Sequence, residues 1–159
     1  MDKFAALRGS ALLRDFSDVG VRILAAACEE RPVGRGTFAF RAGEPSDALF
    51  FVGKGTLQLQ TREGGQPLGE VGAGDTIGNL ALLGEGEHLL SAWAATDVEL
   101  VLLYRDAFES MRKQKPQAGL KLMMALAQDF ADRLRDAKAP LREFLAWQVS
   151  KRQVEGGGR

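Results

Sequence analysis

The sequence predicts an α+β domain: a β-roll, or jelly roll of the double-stranded β-helix type, flanked by N-terminal and C-terminal helices. Three observations carry this expectation. Apolar residues recur at helical spacing up to about residue 30 and again from residue 105. Between about 32 and 104 the period drops to two, in short runs rich in β-branched and aromatic residues. Glycine-bearing turn signals separate those runs at nearly regular intervals, as in a sandwich or barrel.

Phe4, Leu7, Leu12, Leu13 and Phe16 open the chain with a short helical mix. Ser17-Asp18 offers side-chain oxygens to the free amides of a helix over 19–30, with Val19, Ile23, Leu24 and Ala27 on one face. Pro32 and Gly34 are expected to stop it. The runs 37–40, 49–52, 56–60, 92–96 and 98–103 read as strands. The segments 42–45, 53–55, 64–65 and 72–75 read as turns, with glycines at corners that need positive φ. Arg105 to Arg112 reads as a short helix. Pro116 begins a longer one, since a first turn tolerates proline. Leu120, Met123, Ala127, Phe130, Leu134, Ala137, Leu141 and Phe144 then follow at alternating steps of three and four. That heptad spacing predicts a seam, against either a second copy or the chain's own roll. Pro140 interrupts it. The expected division is one domain over 1–138, then a C-terminal helix and disordered tail over 139–159.

Composition narrows the function. The chain has 159 residues, with 21 Lys and Arg against 21 Asp and Glu. A nonspecific binder of nucleic acid or membrane surface would show a basic excess overall, and this chain does not. Residues 1–104 hold 9 basic and 14 acidic side chains, and 105–159 hold 12 and 7, which reads as solvated helix faces. Cys28 is the single cysteine, so no intramolecular disulfide can form, and its apolar neighbours predict a buried small hydrophobe. No apolar run would span a bilayer and the N-terminus lacks a signal-peptide core, so a cytoplasmic location is expected.

The segment over 74–83 (Gly-Asp-Thr-Ile-Gly-Asn-Leu-Ala-Leu-Leu), followed by a loop and Leu90-Ser91-Ala92, places a turn, a strand and one helical turn inside an all-β region. The free amides of such a turn either cradle a phosphate or belong to a plain connector. Other motifs stand in order around it. Gly43-Glu44-Pro45-Ser46-Asp47 precedes Leu49-Phe50-Phe51-Val52, Gly53-Lys54-Gly55-Thr56-Leu57 follows, and Arg105-Asp106-Ala107-Phe108 comes after the strands. Together these motifs make the region 12–137 resemble the cyclic-nucleotide-binding domain of catabolite-activator-type regulators and of cyclic-nucleotide-dependent kinases and channels.

The resemblance implies a ligand site over Gly78, Asn79, Leu80, Ala81, Leu90, Ser91 and Ala92. It also implies a helical output surface, here Leu120, Met123, Ala127, Phe130 and Leu134, through which a homodimer or an unknown protein partner would bind. The family's cassette carries a glutamate for the ribose 2′-hydroxyl and an arginine for the cyclic phosphate. Asn79 stands at the glutamate position and Leu90 at the arginine position. The loop between them has Glu85, Glu87 and His88 but no Lys or Arg. Loss of a charge-assisted pair costs about 1.5–3 kcal/mol, and more if the anion is left buried and unpaired, roughly ten- to several-hundredfold in affinity. The stretch 136–140 offers no hydroxyl to a base. A cyclic nucleotide is the one cofactor the resemblance implies, and its binding is expected to be weak.

His88, the only histidine, reads as a solvated loop residue, too isolated for a metal or haem. Glu70, Asp75, Glu85 and Glu87 read as turn and loop acids without a nucleophile–base set. Trp93 is expected to pack inside the roll, Met123-Met124 in a core or seam, and Trp147 at a contact. Too little chain follows Pro140 for a helix-turn-helix, so direct DNA reading is not expected. The resulting expectation is a stand-alone regulatory module with a degenerate nucleotide pocket, acting by protein contact and without enzymatic activity. The alternative is a genuine sensor of cAMP, cGMP or a cyclic dinucleotide. A metal-dependent enzyme of the related β-helix type would need a histidine cluster that one histidine does not supply.

Overall fold

The computed structural model describes residues 2–61 and 65–137. Pro140, Leu141, Phe144, Trp147 and the remainder of 139–159 lie outside the described residues. The elements run α1 (Lys3–Arg8), a 3-10 turn (Ala11–Leu13), α2 (Asp18–Ala27), β1 (Glu29–Val33), β2 (Phe38–Phe40), β3 (Ala48–Lys54), β4 (Thr56–Gln60), β5 (Pro67–Gly72), β6 (Thr76–Ile77), β7 (Ser91–Ala94), β8 (Val98–Tyr104), α3 (Arg105–Gln114) and α4 (Pro116–Asp136). The chain divides within α4 into a unit up to Ala125 and a second from Leu126.

In the first unit the strands form two antiparallel four-stranded sheets, ordered β1-β8-β3-β6 and β2-β7-β4-β5. Their facing sides enclose Val33, Phe40, Ala48, Phe50, Val52, Leu57, Ala92, Ala94, Val98, Leu100 and Leu102. Registers explain this selection. Phe50 pairs with Leu102 and Val52 with Leu100 on the inner face, while Leu49 pairs with Leu103 and Phe51 with Val101 on the outer one. The outer face is buried as well, because α1 packs on β3 and β8, and α3 on β8. A strand covered on both faces has no polar side, so β3 reads as an apolar run without alternation. Each such fully buried side chain contributes about 1.5–3 kcal/mol over its exposed state.

Helix ends follow local chemistry. Ser17 Oγ accepts the Gly20 amide at 3.1 Å and starts α2, as the sequence predicts. Asp2 does the same for α1 through the Phe4 amide. In α3 Asp106 sits in the first turn and Arg112 and Lys113 in the last, each favourable to the helix dipole. Gly119 lets α4 approach α3: a Cβ there would lie 3.0 Å from Arg112 Cγ.

Several expectations need correction. The helix predicted over 19–30 ends at Ala27, and Glu29–Val33 is a strand paired with β8. Pro32 is accommodated because β1 lies at a sheet edge, where one missing amide leaves no central ladder broken. Strand β5, exposed along most of its length and carrying Gly69 and Gly72, was not expected from the period. Trp93 is not inside the roll. It pairs with Phe38 and Gln58, and the alternation that buries Ala92 and Ala94 turns Trp93 to the other face.

Cys28 is buried, and burial pushes its thiol up to about 12. In the first unit's part of α4, Gly119 and Leu122 are buried while Leu120 is 63% exposed and Met123 half-buried. In the second unit Ala127 is exposed, Phe130 is 48% exposed and Leu134 half-buried. Polar side chains there bond along the helix, Arg133 to Asp129 and Arg135 to Asp132.

Candidate ligand-binding site

The segment from Gly78 to Ala92 leaves the short strand β6 and returns as β7. Gly78 starts it with φ +73°, a conformation that favours glycine. A Cβ there would meet the Ala48 carbonyl at 2.7 Å. Two tight turns follow, with the Ala81 amide bonded to the Gly78 carbonyl and the Leu83 amide to the Leu80 carbonyl. The expected helical turn is thus a pair of hydrogen-bonded turns with no regular helix.

Arg105, the first residue of α3, holds this segment from below. Its Nε donates to the Ala81 carbonyl at 2.7 Å, and its Nη2 to the carbonyls of Ser46 and Gly84 at 2.7 and 2.8 Å. The loop then folds back along the β2–β3 turn. Glu87 bridges to Pro45, the His88 amide bonds to the Glu44 carbonyl, and the Gly43 amide bonds to the His88 carbonyl.

This return carries His88 inward. It is 8% exposed, a correction to the solvated residue the sequence predicts. Its ring stacks on Phe40 and meets Phe50 edge-on. Burial holds the imidazole below its ordinary range, opposed by the nearby Glu44 and Asp47 carboxylates.

The predicted site residues separate into two groups. Ala81, Ser91 and Ala92 are buried, with Ala92 in the core between the sheets. Gly78, Asn79 and Leu90 are half-buried, and Leu80 is exposed. Ser91, 1% exposed, accepts the Ala42 amide at 2.9 Å through its Oγ. Leu89, beside Leu90, is 88% exposed. Glu85 and Glu87 are exposed on the loop. The guanidinium that reaches the segment, Arg105, is aimed at backbone carbonyls.

One polar residue in the roll, Arg31, went unread in the sequence, and it meets Tyr104. Val33 lies in the core, so alternation along β1 turns Arg31 to the same inner face. Its guanidinium lies 5.9 Å from the Phe50 ring centre and donates to the Tyr104 hydroxyl at 2.6 Å. The signal was present in the alternation Glu29, Arg31, Val33 and was hidden by the helix expected there. A separate open groove of about 670 Å³ is lined by Arg8, Ser10, Arg14, Asp18 and Asp75 and shares no residue with the segment. Among the described residues no three His, Cys, Asp or Glu side chains cluster as metal ligands. Also among them, no helix is long and apolar enough to cross a membrane.

A family model for the cyclic nucleotide-binding domain matches residues 30–115, more than half of the chain. The chain belongs to this family. The cyclic AMP receptor protein of Thermus thermophilus is 30% identical over 151 residues, covering 93% of this chain and 68% of the receptor. Glutaminase 1 of Bradyrhizobium diazoefficiens is 36% identical over 130 residues, where the chain spans only 21% of that enzyme. Among solved structures, the Thermus thermophilus catabolite activator protein superposes with TM-score 0.71 at 31% identity, covering 86% of this chain and 63% of that one. The N-terminal domain of a transcriptional regulator from Streptomyces coelicolor superposes with TM-score 0.71 at 26% identity, covering 84% and 97%. The family's fold is the α+β roll with flanking helices described above. Its members include regulators as well as enzymes that carry such a region.

Proposed function

We propose that this chain is a regulatory module whose nucleotide cassette has lost its grip on a cyclic phosphate and whose output is contact with a protein, a second copy included. The resemblance carries the reading: aligned on the family's cassette, Leu90 takes the arginine's position, and the Ser91 hydroxyl beside it is buried against the Ala42 amide. Arg105 does not replace the lost cation, since its bonds run to the carbonyls of Ser46, Ala81 and Gly84. Gly78, Asn79, Leu80, Ala81, Leu90, Ser91 and Ala92 then form a shape without its charge. The output surface is the apolar stripe Leu120, Met123, Ala127, Phe130 and Leu134. A cytoplasmic location belongs to the same reading.

Calorimetric titration of the chain with cAMP, cGMP and a cyclic dinucleotide tests it. Weak or undetectable heats below about 100 µM ligand are expected, and submicromolar binding of any of the three overturns it. Light scattering after size exclusion tests the stripe, where a monomer at high micromolar concentration removes the homodimer. The second reading, a working cyclic-nucleotide sensor, is supported by the 30% identity to a protein named for its response to cyclic AMP.

A further inference from the structure

We infer that Arg31 and Tyr104 form a binding site for a small oxyanion at the mouth of the roll, formed from the sheet β1-β8-β3-β6 and independent of the cassette. The site follows from counting donors and acceptors. Arg31 has five N–H donors and no acceptor. Its single hydrogen bond among the described residues goes to the Tyr104 hydroxyl oxygen, at 2.6 Å. That oxygen accepts, so the phenol keeps its own proton to give. The pair therefore presents further guanidinium N–H groups and one O–H side by side, with no carboxylate in ion-pair reach among the described residues. Glu29, on the same side of β1, forms no ion pair with Arg31.

The Arg31 and Tyr104 side chains are half-buried, so solvent reaches them, while Phe50 beneath Arg31 is 3% exposed. One face of the guanidinium is thus backed by an aromatic ring. A cation so placed has lost part of its hydration and gained no counter-ion, a state that an anion would relieve. Phe50 also links the pair to the cassette. It pairs with Ile77, it would lie 3.4 Å from a Cβ at Gly78, and its ring meets both Phe40 and His88. An oxyanion at Arg31 would sit one aromatic ring away from the start of the cassette. The forked guanidinium suits two oxygens of one phosphate or carboxylate, with the phenol adding a third contact.

The sequence supplies the probe, because Tyr104 is the only tyrosine. In the full chain labelled with ¹³C-tyrosine, a single ring signal reports on it. Sodium phosphate, sodium acetate and cAMP are titrated separately against chloride at matched ionic strength. A saturable shift with midpoint below about 10 mM is expected for phosphate or acetate. The stronger of the two identifies a phosphoryl or a carboxylate ligand. Arg31→Gln should weaken that binding by at least about tenfold, and Arg31→Lys by less. Tyr104→Phe, read by the rise of Tm with phosphate, should weaken it several-fold. It also decides the matter if Arg31→Gln fails to fold. A response no different from chloride, or one that Arg31→Gln leaves unchanged, overturns the site. Tight cAMP binding that survives Arg31→Gln counts against the degenerate-cassette reading instead, so the two failures are distinct.

Discussion

The His88 imidazole lies flat against the Phe40 ring, centroids 3.6 Å apart and planes 11° from parallel. The contact is between residues far apart in sequence, and the backbone pairing of 86–88 with 43–46 makes it. It places a titratable ring inside an aromatic cluster, so its protonation state and the closure of the loop are linked.

That linkage has a direction. The His88 pKa is lowered in the folded chain, so the unfolded chain holds the extra proton between about pH 6.5 and the depressed folded value. The stabilisation is full above about pH 6.5 and is lost as pH falls through that window. A urea midpoint lower at pH 5 than at pH 7.5 is expected, followed by tryptophan fluorescence. His88→Phe keeps an aromatic ring without the proton and should flatten that dependence. A slope as steep as the parent's would show that other groups cause it.

Arg105 ties three carbonyls of two loops to the start of α3. Arg105→Ala should cost about 2–4 kcal/mol, since the carbonyls lose a charged donor in a half-buried place. Lysine cannot fork and should restore less than half. Hydrogen exchange at the Ala81 and Leu83 amides should quicken in the alanine variant, and unchanged exchange would refute the tether.

Gly78 and Gly84 separate two roles of glycine in one loop. Gly78→Ala meets both a positive φ and the Ala48 carbonyl and should cost about 2 kcal/mol or more. Gly84 has no atom within 4 Å of an added Cβ, and Gly84→Ala should fall within about 0.5 kcal/mol of the parent. Equal effects in urea unfolding would contradict the described turn.

On the proposed reading, adding charge at Asn79 and Leu90 provides a gain-of-function test. Asn79→Glu with Leu90→Arg should raise cAMP affinity by at least about tenfold, the worth of one charge-assisted pair. Calorimetry of parent and double variant gives the ratio, and a ratio near one would mean that the cassette's shape has gone as well.

Cys28 supplies a check on the packing of α2 against the roll. With its thiol near 12, only about one molecule in ten thousand carries a thiolate at pH 8. Disulfide-exchange reagents should therefore leave the native chain unmodified for hours and titrate one thiol within minutes in guanidinium. Rapid native reaction would place Cys28 at the surface.

Where pattern and burial act locally, the sequence alone was enough. β4 runs from Thr56 to Gln60 as its alternation indicates, and Ser17 caps α2 as its side chain allows. α3 and α4 start at the arginine and the proline that mark them. The misses share a cause, since each depends on a partner distant in sequence. Glu29–Val33 is polar and contains proline, and only its pairing with β8 makes it a strand. The position of Trp93 follows from which parity of β7 faces Phe40 and Leu59, not from its size. At the candidate site the absence of Lys and Arg between Asn79 and Leu90 was legible residue by residue. The inward turns of His88 and Arg31 were not, because a loop fold-back and a strand parity set them.

Pro32 also bears on how this molecule behaves in crowded solution. It sits within β1, an outermost strand, and Pro67 opens β5, the outermost strand of the other sheet. Proline has no N–H to give, and border strands that carry it are poor templates for an arriving strand. Copies of the chain are thereby discouraged from zipping together along these two borders.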